Sequence, residues 1–280
     1  MACGVSGGPD SLALLALAVA AGCDVTAVHV DHGLRPASAA EAEVVRAAAE
    51  RFGARFAAVA VPVGAGPNLE ARARAARYAA LPPGALVGHT ADDQAETVVL
   101  NLLRGAGLDG LAGMAPGGRP LRRLRRAETH ALCAALGLVP VADPSNDDRS
   151  FRRNRVRHEV LPMLADVAER DVVALLARQA DLARDDAAAL DALAAGLDPT
   201  DAQALSAAPA ALARRAVRAW LRGTGDGPGG PERYPPDAAA VERTLAVARG
   251  EAVACEVAGG WRVARRHNRL RVEPPASPDG

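Results

Sequence analysis

The chain of 280 residues is 50% apolar and 24% charged, which excludes an intrinsically disordered polypeptide and suits one large domain or two modest ones. Its 33 basic residues, all arginine, balance 33 acidic ones, and no apolar run reaches the roughly 18 residues of a membrane span. Cys3, Cys23, Cys133 and Cys255 are scattered without a CxxC pair, against a disulfide framework, zinc knuckle or cysteine-held cluster, and Met1 leads into an apolar run without the basic segment of a signal peptide, so a cytoplasmic protein is expected.

In chain order, Ala2–Val5 is short and apolar, Ser11–Ala21 reads as helix closed by Gly22, and Asp24–Val30 is a β-branched strand. Ser38–Phe52 is helical, opened by a Ser38/Glu41 capping box, and Arg55–Val61 is strand. Asn68–Ala80 is helix with Asn68 as N-cap, Ala85–Gly88 strand and Ala91–Arg104 helix. This βαβα rhythm predicts an α/β fold, a parallel sheet with helices on both faces, whose ligands bind beyond the carboxyl ends of the strands. Gly105–Gly113 is a mobile loop by composition, either passive or a lid, and helix resumes at Ala127–Leu136. Asp166–Leu193 reads as one long helix. A small α+β unit follows, with helices near Pro209–Arg222 and Asp237–Arg249 and short strands around Ala252–Val257, Trp261–Arg265 and Leu270–Val272, turned at Gly259-Gly260 and His267-Asn268. The expected division is 1–164, a helical linker 165–195, and 196–280.

Charge is unevenly spread: residues 104–157 carry 11 Arg against 5 acids, a net of +6, between flanks of net −3 each. A phosphate-facing surface and a merely solvated face both fit that count.

The strongest local motif is Ser6-Gly7-Gly8-Pro9-Asp10-Ser11, between the first strand and the first helix. Two glycines let backbone N–H groups turn toward an anion, the helix N-terminus adds its unpaired amides, and Pro9 suits a first-turn position. Ser6 and Ser11 can donate to phosphate oxygens. Asp10 would repel a phosphate unless a cation intervenes, so it reads as a Mg²⁺ or ammonium partner. The GK[ST] of a Walker loop is missing.

SGGPDS resembles the PP-loop of the ATP pyrophosphatase superfamily, which cleaves ATP between its α- and β-phosphates. The segments that follow choose a branch. They are His29-Val-Asp31-His32-Gly-Leu-Arg35; Glu70 with Arg74-Ala-Ala-Arg77-Tyr78; His89-Thr-Ala-Asp-Asp93-Gln-Ala-Glu96-Thr97; Arg104 to Met114; and Asp143-Pro-Ser-Asn146 through Arg152-Arg-Asn-Arg155-Val-Arg157 to Pro162. In this order they are similar to the tRNA(Ile)-lysidine synthetases, strongly over Ala2–Leu164 and more weakly over Ala204–Val272, which resembles the family's first C-terminal, substrate-binding domain. Members usually carry a segment before the first strand, which points here to a misassigned or truncated start, and longer members carry a second C-terminal domain without counterpart in this sequence.

The resemblance implies an adenine nucleotide alpha-hydrolase-like fold and a ligase whose partners are ATP, Mg²⁺, L-lysine and the tRNA(Ile) with a CAU anticodon. ATP adenylates O2 of the wobble cytidine, the lysine ε-amine attacks C2, and AMP and pyrophosphate leave. On this reading Ser6, Gly7, Gly8, Pro9, Asp10 and Ser11 cradle the phosphates, with His29 and Asp31 beside the nucleotide. Asp10, Arg74, Arg77, His89 and Asp93 are the catalytic candidates: the arginines as fixed positive charge, Asp93 or Asp10 orienting the amine or Mg²⁺, His89 moving a proton. Plainer readings stand beside these: a solvated face for Arg74/Arg77, structural roles for His29 and His32, and a helix cap for Asp92. The Arg152–Arg157 cluster and the hairpin arginines 262, 265, 266, 269 and 271 read as phosphate contacts. Trp220 and Trp261 read as core. A homodimer is left open. The rivals are a PP-loop tRNA thiolase, disfavoured by the lack of a cysteine pair, and a non-catalytic adenylate-binding regulator.

Overall fold

Four strands, β1 (Ala2–Gly4), β2 (Thr26–Asp31), β3 (Arg55–Ala60) and β4 (Leu86–Val87), hydrogen-bond in the order β3-β2-β1-β4, every pair parallel. The computed structural model describes residues 1–31, 38–61, 69–141, 148–223 and 236–275, with the side chains of 38–40, 69–71, 73 and 74 also outside the description. The chain steps outward from β1 to β2 to β3, then returns to the opposite side of β1. That reversal makes the β1/β4 boundary a topological switch point, where connections diverge and leave a crevice at the carboxyl edge.

Parallel strands joined by crossover helices are covered on both faces, so they read as nearly continuous apolar runs. Val25 and Ala27 of the β2 edge pack with Leu12 and Leu15 of α1 (Pro9–Ala20) and Val45 and Ala49 of α2 (Ser38–Phe52). Val28 and Val30 face the other way, against Leu81 just after α3 (Leu69–Ala80). α1 buries Leu12, Leu14 and Leu15 almost completely and ends at Gly22, whose φ of +78° supplies the left-handed C′ position.

α4 (Ala91–Leu103) lies against a second layer formed by α7 (Arg152–Arg155), a π-helical stretch at Val156–Val160, α8 (Leu161–Ala168) and the start of α9 (Val172–Ala194). Ala91, Ala95 and Val99 share one buried cluster with Val156, Leu161 and Val172. α6 (Arg126–Ala135) packs on α1, with Cys133 in the main core.

Two expectations change here. The single helix over 166–193 is two: α8 stops where Glu169 turns left-handed (φ +49°), and α9 begins afresh with the Asp171 carboxylate accepting the Val173 N–H at 3.0 Å. The stretch Gly105–Gly113 is not a free loop. It holds a short helix, α5 (Leu108–Leu111), pinned to α4 by Asn101 donating to the Gly110 carbonyl (2.8 Å) and by fully buried Gln94, which donates to the Ala112 carbonyl (3.2 Å) and accepts from the Met114 amide (2.8 Å). Glycine composition hides such docking, because the fixing groups lie on another helix. Asn68, Asp143–Asn146 and His32–Arg35 lie outside the described residues.

The chain separates into two compact units, Met1–Arg184 and Asp185–Gly280. In the second, α10 (Ala202–Ala207), α11 (Ala210–Gly223) and α12 (Ala238–Arg249) accompany an antiparallel sheet of β5 (Ala254–Glu256), β6 (Arg262–Arg266) and β7 (Arg269–Glu273). α10 escapes a periodicity reading because it is six residues long; Asp201 caps it by accepting the Gln203 and Ala204 amides. Trp220 and Trp261 pack against the core of Val217, Leu221, Leu245, Val263 and Leu270, as expected. The β6–β7 turn falls at His267-Asn268, His267 being left-handed (φ +57°). No helix among the described residues is long and apolar enough to cross a membrane.

Candidate active site

The turn after β1 is shaped from within. Gly8 is the N-cap of α1 and its carbonyl accepts the amides of Ser11 (3.1 Å) and Leu12 (3.0 Å), which places Pro9 at the first helical position. The Ser11 hydroxyl donates to that carbonyl (2.8 Å) and accepts from the Ser6 amide (3.1 Å), so it shapes the turn from a buried position while Ser6 stays exposed. Gly7 is demanded by the fold: its φ is +85°, and a Cβ would meet Val141 Cγ2 at 2.8 Å. Gly8 is not. Its φ of −72° suits any residue, and a Cβ there would touch only the Ser6 hydroxyl, at 3.6 Å. Space kept at Gly8 beside a helix N-terminus is what an incoming phosphate group needs. Gly8→Ala is therefore expected to leave unfolding free energy within about 1 kcal/mol. It should raise the KM for ATP roughly tenfold or more, about 1.4 kcal/mol of lost binding. Thermal melting and steady-state kinetics check the two halves.

β4 arrives beside this turn because Gly88 follows it: a Cβ there would sit 2.6 Å from the Asp10 carbonyl oxygen. Next come His89 and Thr90, and then α4. Asp93 closes a capping box at the head of α4, its Oδ2 accepting the Thr90 amide (2.8 Å) and hydroxyl (3.1 Å). Asp92, read as a helix cap, instead ion-pairs with Arg125 (3.1 Å) and accepts the Arg126 amide (2.7 Å).

Arg126 joins the two halves of the site. Its guanidinium lies 3.0 Å from Asp93 Oδ1, 3.0 Å from Glu96 Oε1 and 3.5 Å from Asp10 Oδ2. α6 turns Arg126, Thr129 and Cys133 toward the head of α1 at three- and four-residue spacing: the Thr129 hydroxyl donates to the Asp10 carboxylate, and the Cys133 thiol donates to the Pro9 carbonyl at 3.3 Å. Glu96, fully buried, also receives Arg153 Nε and Arg157 Nε, each at 2.7 Å.

This environment separates the two carboxylates. Burial pushes the Asp10 carboxyl above its ordinary value, outweighing the Thr129 hydrogen bond and Arg126. Burial acts the same way on Asp93, yet Arg126, Arg153 and the Thr90 amide hold it below its ordinary value. Arg126, although burial works against its charge, is held above the usual arginine value by Asp93, Glu96 and Asp10. Neighbouring carboxyls driven apart are the pattern of an acid–base pair.

Of the expected residues, Asp10 and Asp93 are brought together through Arg126, and His89 is close enough to act electrostatically on Asp93. His29, buried on β2, faces the β1 end, its Nδ1 3.0 Å from the Val5 carbonyl, and Asp31 ends the same strand. Arg77 is half-buried on α3 and has no ion pair among the described residues; the Arg74 side chain lies outside the description. Arg125 and Arg126 were not singled out from sequence, and Glu96 was part of a motif but was given no role. Glu96 follows Asp93 by three residues, one face of α4, and that spacing is the available signal.

Of the Arg152–Arg157 cluster, only Arg152 is exposed with no partner among the described residues; the other arginines are paired. Arg153 and Arg157 turn inward to Glu96, because a fully buried carboxylate requires neutralising charge, and Arg155 pairs with Glu159 at 3.2 Å. In the hairpin, Arg265 donates to the carbonyls of Ala248 and His267 and Arg269 pairs with Asp198; Arg266 and Arg271 stay exposed and unpaired among the described residues. No group of three or more His, Cys, Asp or Glu among the described residues could hold a metal ion.

A phosphate-ready turn at the switch point of a β3-β2-β1-β4 sheet defines a PP-loop ATP-binding domain, and residues 1–164 match the PP-loop domain family. Residues 201–271 match the TilS substrate binding domain. The tRNA(Ile)-lysidine synthase of Nocardia farcinica is 51% identical over 242 residues, which cover 80% of this chain and 76% of that protein. Those of Mycolicibacterium paratuberculosis (49% over 233 residues, 78% and 72% covered) and Rhodococcus erythropolis (46% over 234 residues, 78% and 72%) are similar to it in the same way. The chain belongs to the tRNA(Ile)-lysidine synthase family. Among solved structures, the U34-tRNA thiolase NcsA from Methanococcus maripaludis shares the fold, with a TM-score of 0.50 at 19% identity over 65% of this chain and 72% of that one.

Proposed function

We propose that this chain is an ATP-dependent ligase that attaches L-lysine to C2 of the wobble cytidine in a tRNA(Ile) with a CAU anticodon. ATP adenylates the cytidine O2 with loss of pyrophosphate, then the lysine ε-amine displaces AMP. The observation that carries the reading is the pair Asp10 and Asp93, driven apart in acidity across Arg126 beside a turn with space at Gly8. Lysine's amine, with an ordinary pKa of about 10.4, arrives protonated and attacks only after losing a proton. Asp10, the more basic carboxylate, suits the acceptor. Asp93 suits a fixed negative charge that holds the ammonium, with His89 at its side. Arg74 and Arg77 would meet the charge developing on the phosphates and His29 and Asp31 the nucleoside. For the adenylation step Asp10 would be the single protein carboxylate holding a Mg²⁺ ion, which would neutralise phosphate charge; its role as proton acceptor belongs to the second step, after pyrophosphate has left. The reaction belongs in the cytoplasm.

The thiolase alternative lacks support: the cysteines join no group of three or more His, Cys, Asp or Glu that could hold a metal ion among the described residues, and the curated relatives are lysidine synthases. Incubation with ATP, labelled lysine and the tRNA should fix lysine into RNA with release of AMP and pyrophosphate. Production of ADP and inorganic phosphate instead would overturn the assignment, and Asp93→Asn with normal turnover would remove Asp93 from it.

A further inference from the structure

Beside the carboxylate network lies a second cavity, of about 240 Å³, between the 3₁₀ turn Pro120–Arg123, the head of α4 and one face of α9. Its wall carries Arg122, Arg123, Arg125 and Arg178 against a single acid, Asp181, over a floor of alanines from α4 and α9. Arg125 also lines the neighbouring cavity of about 230 Å³ that Asp92 and Glu96 line, so the two spaces share one arginine.

The charges do not cancel. Asp181 is shared by Arg122 and Arg184, while Arg125 is engaged by Asp92 and Asp171. Arg123 and Arg178 are exposed and have no partner among the described residues. Two uncompensated guanidiniums over an alanine floor select for negative charge. That floor offers no hydroxyl or amide side chain with which to read a base or a sugar. An RNA strand that delivers one nucleotide to the carboxylate network must carry its flanking phosphates past the surrounding wall, to which Arg122, Arg123, Arg125 and Arg126 of the arginine-rich segment contribute. We propose that the Arg122/Arg123/Arg125/Arg178 cavity seats a backbone phosphodiester of the substrate RNA next to the nucleotide being modified. This rests on the ligase reading above.

The test uses the full chain and the double variant Arg123→Ala/Arg178→Ala, whose side chains hold nothing else in place. Expected are tRNA binding weakened about tenfold or more near 0.1 M salt and an unchanged KM for ATP. The slope of log Kd against log salt should fall by about 0.7 to 0.9, the loss of one phosphate contact. Arg123→Lys/Arg178→Lys should bind tRNA within about threefold of the parent, since a point charge serves a phosphate. Unchanged affinity and salt slope in the alanine variant, or equal loss in the lysine variant, would overturn the seat. Inhibition by inorganic pyrophosphate separates the two sources of phosphate. Unaltered inhibition in the alanine variant supports RNA, whereas weakened inhibition with intact tRNA binding overturns it. If the parent chain fixes no lysine into tRNA, the ligase reading fails; if the parent turns over and the variant is indistinguishable, only the seat fails.

Discussion

Glu96→Gln is expected to destabilise the first unit by roughly 3–5 kcal/mol, the range for breaking a buried ion pair from one side. The glutamine keeps the volume and can still accept a hydrogen bond, so packing is not the cause. What is lost is the one fully buried negative charge that Arg126, Arg153 and Arg157 converge on. Their side chains are only 19–25% exposed, too sheltered for water to replace the carboxylate. For a unit of this size each kcal/mol is worth about 2–4 °C, so the melting temperature should fall by roughly 10 °C. A companion, Glu96→Gln/Arg157→Gln, should recover part of the loss, because it removes one stranded cation. A melting temperature within about 2 °C of the parent for Glu96→Gln would mean that the arginines are hydrated and the network is not a structural hub.

How far the sequence reveals such a hub depends on what each feature rests on. The turn at 6–11 was legible because its signal is local: two glycines, Pro9 at N1 and an apolar helix behind it. The parallel sheet was legible for the same reason, as apolar runs alternating with helical periods. The break at Glu169 was not, since a glutamate carries no turn signature and takes the left-handed conformation only where α8 and α9 reverse. Arg126 was invisible among the arginines of a +6 segment. Its meaning depends on α6 lying across α1, which brings a residue 116 positions away in the chain beside Asp10. The Arg152–Arg157 cluster misleads in the same way: composition counts the charges, and only the fold shows that two of them answer Glu96. Side-chain pairing across elements is a tertiary property, and periodicity does not encode it.

Asp10→Asn should show the opposite signature to Glu96→Gln. Burial raises the Asp10 carboxyl above its ordinary value, so the folded state disfavours its ionised form. A group shifted upward stabilises the fold below its unfolded value, and that contribution is lost as pH rises through the folded one; near neutrality its charge opposes folding. Asparagine removes the charge, can still accept from the Thr129 hydroxyl, and leaves Arg126 paired with Asp93 and Glu96. The melting temperature is therefore expected to hold or rise slightly at pH 7. Catalysis should not survive so well. Without a basic carboxylate beside the phosphate turn, lysine transfer into tRNA should drop by about 10² to 10⁴-fold, the usual contribution of a positioned proton acceptor. Affinity for ATP measured without Mg²⁺ should change by less than about fivefold, since an amide neither repels nor grips a triphosphate strongly. Labelled-lysine incorporation, nucleotide binding and melting, measured on one preparation, separate the two effects. Transfer within tenfold of the parent would take the proton-accepting role from Asp10 and leave Asp93, charged and capped against Thr90, as the remaining carboxylate to receive it.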